Sequence, residues 1–377
     1  MKKIIFAPDS FKGTIKAPEV CEIWQAAAKR FMPDALCVSL PLSDGGEGLT
    51  DTLNNCLGGS ITKINVSDPL GRRIEAGYLM LPDGSAVVEM AAASGLTLLT
   101  PDELDPMRAS TYGAGELILH AIKSGARHII LGLGGSATND GGVGAAAAMG
   151  MIFKRAHGDI IDAGNKGFIG VAELDSSEYL KLIKSVRFTI ACDVANPLCG
   201  PSGASAVFGP QKGAGAEQTG ILDRELHRLS EIFALNSGRE CAAIPGCGAA
   251  GGFALPILSY GEASIRPGID IVLDTLEFDK HLDGAGLVIS GEGCTDTQSA
   301  MGKVISGVAK RASAKGVPVV VLSGALASGS EALFDTGVIA MFSACAEPAS
   351  LESVLANSVP NLKKATENLF RLLSKFL

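Results

Sequence analysis

Short apolar runs and helical apolar spacing alternate along the first sixty residues. Short segments rich in apolar residues at 2–8 and 35–41 predict two strands, the first of them buried. Apolar residues then recur at intervals of three and four in 20–31, and a second helix is predicted over 49–57. Trp24, the single tryptophan, falls on the apolar face of the first helix and is predicted to lie in the core. This β–α–β–α order is typical of a parallel sheet.

The middle of the chain shows a different pattern of apolar and polar residues, and the regular alternation of strands and helices returns near the end. Apolar and polar residues alternate between 61 and 90, with turns at DPLG and PDG, which indicates antiparallel strands. The stretch 199–215 is rich in glycine and is predicted to be a loop. Further predicted helices are 111–124, 143–153, 218–235, 300–314 and 362–376, and further predicted strands are 127–131, 186–191, GLVIS, VPVVVLSG and VIAMFSAC.

The predicted strands group into two domains. Two strands from the first 60 residues and three from the last 95 would form one parallel sheet with helices on both faces. The segment between them then becomes an inserted α/β domain with a mixed sheet. We predict a discontinuous first domain of residues 1–66 plus 285–377 and an inserted domain of residues 67–284.

Composition narrows the class of protein. Glycine accounts for 47 of 377 residues, well above the average of about 7%, and it clusters beside polar residues. The net charge is −8 with no basic stripe, which argues against a nucleic-acid partner. No apolar run approaches the roughly 18 residues of a membrane span, and the start of the chain lacks a signal-peptide core.

Cysteine use indicates a reducing compartment. The nine cysteines contain no C-x-x-C pair, so a cytoplasmic location is expected. Four of them lie in glycine-rich loops without a nearby histidine to activate a thiolate. We predict that these four are packing residues: Cys192, Cys199, Cys247 and Cys294.

Two polar loops follow the first two predicted strands. APDSFKGT offers Asp9, Ser10 and Lys12 at the carboxyl end of the first strand, where open α/β sheets bind ligands. PLSDGGEG offers Ser43 and Asp44 after the second strand. Asp44 alone fits a helix cap, but the whole acidic and glycine-rich cluster favours a substrate and metal site.

A third loop, GLGGSATNDGGVG, joins a predicted strand to a helix at 132–144. Loops of this kind present backbone N–H groups to phosphate. The G-x-G-x-x-A spacing is a weak match to dinucleotide-binding turns, and the polar insert fits a triphosphate with its metal better. No G-x-x-x-x-G-K-[ST] motif occurs in the chain. The predicted ATP-binding residues of this loop are Gly134, Gly135, Ser136, Thr138, Asn139 and Asp140.

Two more loops carry acids at predicted strand ends. ACDVANPL places Asp193 after a strand, and SGEGCTDTQSAMGK combines Glu292, Asp296 and Lys303 at a strand-to-helix junction. The segment PGCGAAGG (245–252) is predicted only as a place of close backbone approach. None of the five histidines lies in a glycine-rich loop, so histidine catalysis is disfavoured. Carboxylates, lysines, hydroxyls and N–H-rich loops are the groups that phosphoryl transfer needs.

Six motifs in this order resemble those of the bacterial type 1 glycerate kinase family. They are APDSFKGT, PLSDGGEG, DPLGR, GLGGSATNDGG, CDVANPLCG and SGEGCTDTQSAMGK. The resemblance covers essentially the whole chain. It implies a flavodoxin-like three-layer domain with an inserted α/β domain, and ATP- and Mg²⁺-dependent phosphorylation of D-glycerate in the cytoplasm. We expect 2-phosphoglycerate rather than 3-phosphoglycerate, no nucleic-acid or membrane partner, and a homo-oligomer as one option.

Within that reaction the residues receive predicted roles. Asp193 is the predicted base, with Asp9 and Asp296 as competitors. Lys12 is predicted to offset the charge of the two anionic substrates, and Lys303 is predicted to contact ATP. The predicted glycerate-binding residues are Asp9, Ser10, Ser43, Asp44 and Arg72. In the last loop, Glu292 is predicted to bind the metal, and Asp296 is predicted both to bind the metal and to take part in catalysis.

Two other classes of protein stay open at this stage. An NAD-dependent oxidoreductase would use the G-x-G-x-x-A turn, although it needs an acid about 20 residues further on, where the chain is basic. A non-catalytic small-molecule binding protein would leave the many acids at strand ends without a role.

Overall fold

A computed structural model describes residues 2–11, 13–43, 48–164, 168–345, 347 and 350–376. The chain divides into two compact units, one formed by Met1–Asp44 with Pro267–Leu377 and the other by Gly45–Arg266. These boundaries lie earlier in the chain than the predicted ones, 66/67 and 284/285. The first difference arises because the strand at Ser60–Ser67 pairs along its whole length with its neighbour inside the second unit.

The strands and helices are numbered here in chain order. The strands are β1 (Lys3–Pro8), β2 (Leu36–Ser39), β3 (Ser60–Ser67), β4 (Arg73–Met80), β5 (Ala86–Glu89), β6 (His128–Gly132), β7 (Ile152–Lys154), β8 (Glu173–Asp175), β9 (Arg187–Ala191), β10 (Glu262–Arg266), β11 (Ala285–Gly291), β12 (Cys294–Thr295), β13 (Val319–Ser323), β14 (Ala325–Leu326) and β15 (Val338–Ser343).

The α-helices are α1 (Ala17–Phe31), α2 (Leu49–Leu57), α3 (Ala91–Ser94), α4 (Tyr112–Lys123), α5 (Val143–Ala148), α6 (Ser177–Ile183), α7 (Ala204–Phe208), α8 (Ala216–Ser237), α9 (Leu255–Tyr260), α10 (Gly268–Thr275), α11 (Phe278–Leu282), α12 (Val304–Ala314), α13 (Leu351–Ala356) and α14 (Ser358–Phe376). Short 3₁₀ turns lie at Leu96–Leu98, Pro101–Glu103, Pro210–Lys212, Ala249–Gly251, Thr297–Ala300 and Ser330–Thr336.

The first unit contains a parallel sheet in the order β2-β1-β11-β13-β15. Numbered within the unit, this is the 2-1-3-4-5 order of flavodoxin-like folds. Strands β1, β11 and β13 are almost wholly buried and read as continuous apolar runs, as expected when helices cover both faces of a sheet. The predicted flavodoxin-like fold is confirmed.

The core on one face of this sheet forms around aromatic side chains. Trp24 of α1 is fully buried, and its ring meets that of Phe6 edge-on with centroids 5.9 Å apart. The ring of Phe370 in α14 also meets that of Phe6 edge-on, with centroids 6.0 Å apart. The prediction that Trp24 is a core residue is confirmed.

The second unit contains a mixed sheet in the order β10-β9-β6-β5-β4-β3. The pairs β3–β4 and β4–β5 are antiparallel, as the alternation in 61–90 predicts, and the pairs β5–β6, β6–β9 and β9–β10 are parallel. An inserted α/β domain with a mixed sheet is therefore the observed architecture of this unit.

In the second unit, glycines of helix α4 allow its backbone to lie directly against the backbone of β3 and of α5. A Cβ atom built on Gly113 of α4 would lie 1.8 Å from the carbonyl oxygen of Ser67 at the end of β3. One built on Gly115 would lie 2.5 Å from the carbonyl oxygen of Ala145 in α5. Glycine at these positions thus lets backbone pack directly on backbone.

Two predicted elements of the second unit differ from those observed. The helix predicted over 143–153 ends at Ala148, because Gly150 adopts a left-handed φ of 99° that helices use to terminate. The following residues form β7, which pairs with β8. The predicted loop 199–215 contains α7 and the turn Pro210–Lys212, because small residues there pack closely enough to form short helices.

Among the described residues, none of the helices combines the length and the apolar character that a membrane-spanning segment requires.

Candidate functional site

A cavity of about 330 Å³ lies at the carboxyl ends of four strands in the first unit. Its lining includes residues that directly follow β1, β11, β13 and β15. Between β1 and β11 the strand order of a flavodoxin-like sheet reverses, which is where such sheets bind ligands. Four predicted site residues meet in this cavity: Ser10, Glu292, Asp296 and Lys303.

Part of the lining of the first cavity is apolar. It comprises Leu351, Val354 and Leu355 of α13 together with Phe11 and Ala344. A ligand with a flat apolar part and a charged part fits such a lining better than a uniformly polar one.

Asp9 shapes the loop that follows β1. Its side chain is buried, and its Oδ1 accepts a hydrogen bond of 2.6 Å from the Ser10 N–H. The Asp9 N–H donates to the carbonyl oxygen of Gly291 at 2.8 Å and so fixes the loop against the end of β11. These bonds bring Ser10 to the cavity, and Asp9 itself supports the loop from behind.

Asp296 has a local structural task as well as a place in the cavity. Its Oδ1 accepts from the N–H groups of Gln298 (2.8 Å) and Ser299 (3.2 Å), and so caps the turn Thr297–Ala300. Lys303 donates to the Gln298 side-chain oxygen at 2.9 Å, so this turn also positions the lysine.

The carboxylates of the first cavity fit a magnesium ion that is bound together with a nucleotide. Mg²⁺ is usually held by one or two carboxylates, with waters and substrate phosphates as the other ligands. Glu292 and Asp296 supply that number. No group of three or more His, Cys, Asp or Glu side chains in the described chain forms a site that would hold a metal alone.

Of three further site residues predicted in the N-terminal loops, the structure describes Ser43. Lys12 and Asp44 lie outside the described residues. Ser43 is buried after β2, and its hydroxyl makes no hydrogen bond within the described part of the chain. The neighbouring Leu42 N–H bonds the carbonyl oxygen of Pro8 at 2.8 Å, which holds this segment beside the end of β1.

A second cavity, of about 220 Å³, lies within the second unit. It brings together the first part of the glycine-rich loop, Gly134 to Ser136, with Asp193 at the end of β9. These residues follow neighbouring parallel strands, because β6 pairs with β9. Their meeting is what the strand-end positions predict.

Lys212 also lines this second cavity, and the sequence analysis missed it. Its side chain is 1% exposed, and its Nζ donates to the Ser136 hydroxyl at 2.9 Å and to the Thr138 carbonyl oxygen at 2.6 Å. Burial lowers the pKa of Lys212 to about 7, against the opposing effect of the nearby Asp140 carboxylate. The available signal was a single lysine between Lys184 and Lys280, set in the cluster GPQKGAG.

The later part of the glycine-rich loop is packed inside the unit, contrary to the prediction that it wraps phosphates. Asp140 is buried, and its carboxylate accepts from the Thr111 N–H and hydroxyl and from the N–H groups of Gly142 and Gly144, at 2.8–3.2 Å. Burial raises the pKa of Asp140, and these hydrogen bonds oppose the rise. The carboxylate therefore joins the loop to the start of α4 and is not directed at a ligand.

Two other predicted residues of this loop are equally enclosed. Thr138 and Asn139 are fully buried, and the Asn139 side-chain nitrogen donates to the Ser205 hydroxyl at 2.8 Å. The Gly141 N–H is committed to the carbonyl oxygen of Gly251 at 2.9 Å. The cavity is thus left with Gly134, Gly135 and Ser136 of the predicted set.

The segment PGCGAAGG makes the close approach that was predicted for it, toward this loop. A Cβ atom on Gly251 would lie 2.3 Å from the carbonyl oxygen of Thr138. The preceding Ala250 has a φ of 50°, which is unusual for a residue with a side chain, and it lines the second cavity.

Arg72 is occupied by a structural role in the DPLGR turn. Its guanidinium bonds the Asp68 carboxylate at 2.5 Å, the Glu103 carboxylate at 2.6 Å and the Leu98 carbonyl oxygen at 3.3 Å. The first two contacts raise the pKa of Arg72. The donors of Arg72 therefore serve the turn, and Arg72 lines neither cavity, contrary to its predicted role as a glycerate contact.

Neither thiols nor imidazoles supply the reactive groups of these cavities. Burial raises the pKa of Cys294, which lines the first cavity, and of Cys192, which lines the second, so these two thiols are not nucleophiles at neutral pH. Burial also raises the pKa of Cys199 and of Cys247 to about 12. No histidine in the described chain lines either cavity. The remaining groups are carboxylates, lysines, hydroxyls and backbone N–H groups at strand ends. Fold and donor set together define an α/β phosphotransferase.

Comparisons with known proteins give the family. Residues 4–374 match the model of the glycerate kinase family, and the chain belongs to that family. It is similar to the glycerate kinase of Bacillus cereus (40% identity over 97% of both chains) and to the glycerate 2-kinase of Escherichia coli (37% identity over 97% of both). A crystal structure of a candidate glycerate kinase 2 from Salmonella typhimurium LT2 superposes with a TM-score of 0.89, at 40% identity over 99% of this chain and 98% of that one.

The family confirms the predicted resemblance and the predicted enzyme class, a kinase that acts on an alcohol group. The NAD-dependent oxidoreductase and the non-catalytic binding protein are wrong as alternatives. The structure gives a physical reason for the first: the strand after the glycine-rich loop is β7, which pairs with β8 in a sheet separate from the one that carries β6. It cannot present the acid that a dinucleotide ribose requires.

Proposed function

We propose that this protein transfers the γ-phosphoryl group of ATP to a hydroxyl group of D-glycerate, with phosphoglycerate and ADP as products. We favour 2-phosphoglycerate over 3-phosphoglycerate, because one similar protein is a glycerate 2-kinase. The nine cysteines are all free thiols, which supports a reducing compartment and hence the cytoplasm.

The observation that carries the proposal is the lining of the first cavity. Its lining combines the charged side chains of Glu292, Asp296 and Lys303 with apolar residues of α13, at the ligand-binding edge of a flavodoxin-like sheet. We infer that the apolar residues contact the base of ATP and that Lys303 contacts a phosphate. Glu292 and Asp296 would hold Mg²⁺, which supplies charge neutralisation on the phosphates when it is bound.

Asp193 is the proposed base. As the glycerate hydroxyl oxygen forms its bond to the γ-phosphorus, the bond from that phosphorus to the β–γ bridging oxygen breaks, and the electron pair leaves with ADP. The hydroxyl proton passes to the Asp193 carboxylate. Ser10 after β1 and Ser43 after β2 remain proposed polar contacts of the substrates, and Lys12 remains a proposed cation near Ser10 in the sequence.

The proposed reaction is tested by ³¹P NMR of the full chain with ATP, Mg²⁺ and D-glycerate. We expect loss of the γ-phosphate signal and growth of a phosphomonoester signal that matches authentic 2-phosphoglycerate. Lactate, which lacks one hydroxyl of glycerate, serves as the acceptor control and should react at least about 10³-fold more slowly. Release of inorganic phosphate alone, or no turnover, would refute the proposal.

A further inference from the structure

Lys212 is a buried amine that makes no direct ion pair within the described part of the chain, although the Asp140 carboxylate acts on it from a greater distance. Its two hydrogen bonds go to neutral oxygens of Ser136 and Thr138. A protonated ammonium has three donors, and within the described chain the third finds no acceptor. Buried cations in proteins are normally paired, so this arrangement indicates an anionic partner that binds from the cavity.

The cavity that Lys212 lines is small, and its lining combines a cation, a hydroxyl group and a carboxylate. Its volume of about 220 Å³ is below the range of about 300–1,000 Å³ typical of larger ligands. On its lining are the buried Ser136 hydroxyl, the backbone of Gly134 and Gly135, and the Asp193 carboxylate. A cation and a carboxylate in one small cavity fit a ligand that carries an acid group and a hydroxyl group.

We propose that this cavity is the acceptor site, in which Lys212 and Ser136 bind the carboxylate of a short-chain hydroxy acid while Asp193 receives the proton of its hydroxyl. The proposal rests on the proposed glycerate kinase activity and names the part of the chain that recognises the acid. It replaces the predicted assignment of Gly134, Gly135 and Ser136 to ATP phosphates.

A nucleotide triphosphate fits the second cavity less well than a small acid does. Lys212 is the single cationic side chain among the described lining residues, and Asp193 would repel a polyanion. The N–H groups of Gly141 and Gly142, which a phosphate-wrapping loop would direct at its ligand, are bound to Gly251 and Asp140. The lowered pKa of Lys212 agrees with this account, because a bound carboxylate would restore the charged amine.

The test compares the full wild-type chain with Lys212→Met, which keeps the length of the side chain and removes its charge. Lys184→Met removes the same charge from an exposed lysine of the same unit and is the matched control. For each, calorimetry measures the binding of D-glycerate, and steady-state kinetics give KM for D-glycerate and for ATP. We expect Lys212→Met to weaken glycerate binding and raise its KM about 10²-fold, with the KM for ATP within about twofold of wild type. The control should match wild type.

The results separate this inference from the proposed reaction. If Lys212→Met raises the KM for ATP and leaves glycerate binding intact, the cavity holds phosphate and the inference is wrong. Unchanged values for both substrates overturn it too. If Lys212→Met does not fold, as judged by circular dichroism, Ser136→Ala replaces it, with an expected loss of about tenfold in glycerate affinity alone. If the wild-type chain binds D-glycerate but forms no phosphomonoester, the proposed reaction is wrong. The comparison of D-glycerate binding between wild type and Lys212→Met still decides whether this cavity binds the acid.

Discussion

Substitution of Gly113 by alanine should destabilise the second unit, although alanine is the better helix former. Gly113 lies in the first turn of α4, and its added Cβ would fall 1.8 Å from the Ser67 carbonyl oxygen and 2.8 Å from the Ser67 carbonyl carbon. Real Cβ atoms are essentially never found within 3.0 Å of such atoms, so α4 must move by more than an ångström. Both obstructing atoms belong to the backbone of β3 and cannot rotate away.

The magnitude follows from two opposing effects. Alanine in place of glycine gains about 1 kcal/mol of helix propensity. Forcing backbone elements apart in a packed core costs about 1–3 kcal/mol and more when no side chain can yield. Because both obstructing atoms belong to the backbone, the cost lies at the upper end of that range, about 3 kcal/mol, and we expect Gly113→Ala to lower the free energy of unfolding by about 2 kcal/mol. At about 2–4 °C per kcal/mol for a unit of this size, Tm falls by about 4–8 °C.

Gly220→Ala is the matched control for this measurement. Gly220 lies inside α8, and the nearest atom to its added Cβ is the Arg224 Nη1 at 3.5 Å, at the end of a flexible side chain. Here the propensity gain is unopposed, so Tm should rise by about 1–4 °C. Differential scanning calorimetry of the full chain follows the transition of the second unit in each variant. If Gly113→Ala melts at or above the wild-type temperature, α4 does not pack on β3 as described.

Three further predictions concern the proposed chemistry. Asp193→Asn should lower kcat about 10²–10⁴-fold while calorimetry shows both substrates still bound; a kcat within tenfold of wild type would show that the base is another residue. Burial places the pKa of Lys212 near 7, with the Asp193 carboxylate on the lining of the same cavity and the Asp140 carboxylate buried nearby. Because a bound acid favours the ammonium, the Kd for D-glycerate should be constant below pH 7 and rise up to about tenfold per pH unit above it. A flat profile across pH 6–9 would contradict this. Glu292→Gln should raise the Mg²⁺ concentration for half-maximal activity about tenfold, whereas the control Glu22→Gln, at an exposed position on α1, should not change it. If activity depends on Mg²⁺ concentration in the same way in both variants, Glu292 does not bind the metal.

The meeting of residues in the first cavity was predictable because it depends on strand order alone. Apolar runs of five to seven residues identify β1, β11 and β13, and the carboxyl ends of parallel strands share one edge of a sheet. Polar residues that follow such runs, as Ser10 and Glu292 do, must therefore come close together.

The roles of Lys212 and Asp140 were not predictable in the same way. Lys212 enters its cavity through a short 3₁₀ turn, whose geometry depends on packing against the loop at Thr138 and not on any period of the sequence. In the sequence, an aspartate in a glycine-rich loop gives the same pattern whether its carboxylate binds a ligand or accepts hydrogen bonds from the backbone. Only the contacts with Thr111, Gly142 and Gly144 show that Asp140 is a structural acid.

The strand order of the first unit also has a consequence for how the chain is synthesised and folds. Strand β1 lies between β2 and β11, and β11 begins only at Ala285. The second unit, by contrast, is one continuous stretch, Gly45–Arg266, and all of it is synthesised before β11. Throughout that interval β1 exposes an unpaired apolar edge, which is the kind of surface that associates wrongly with other chains. The nascent protein therefore completes its second unit first, and its earliest residues are among the last to find their partners.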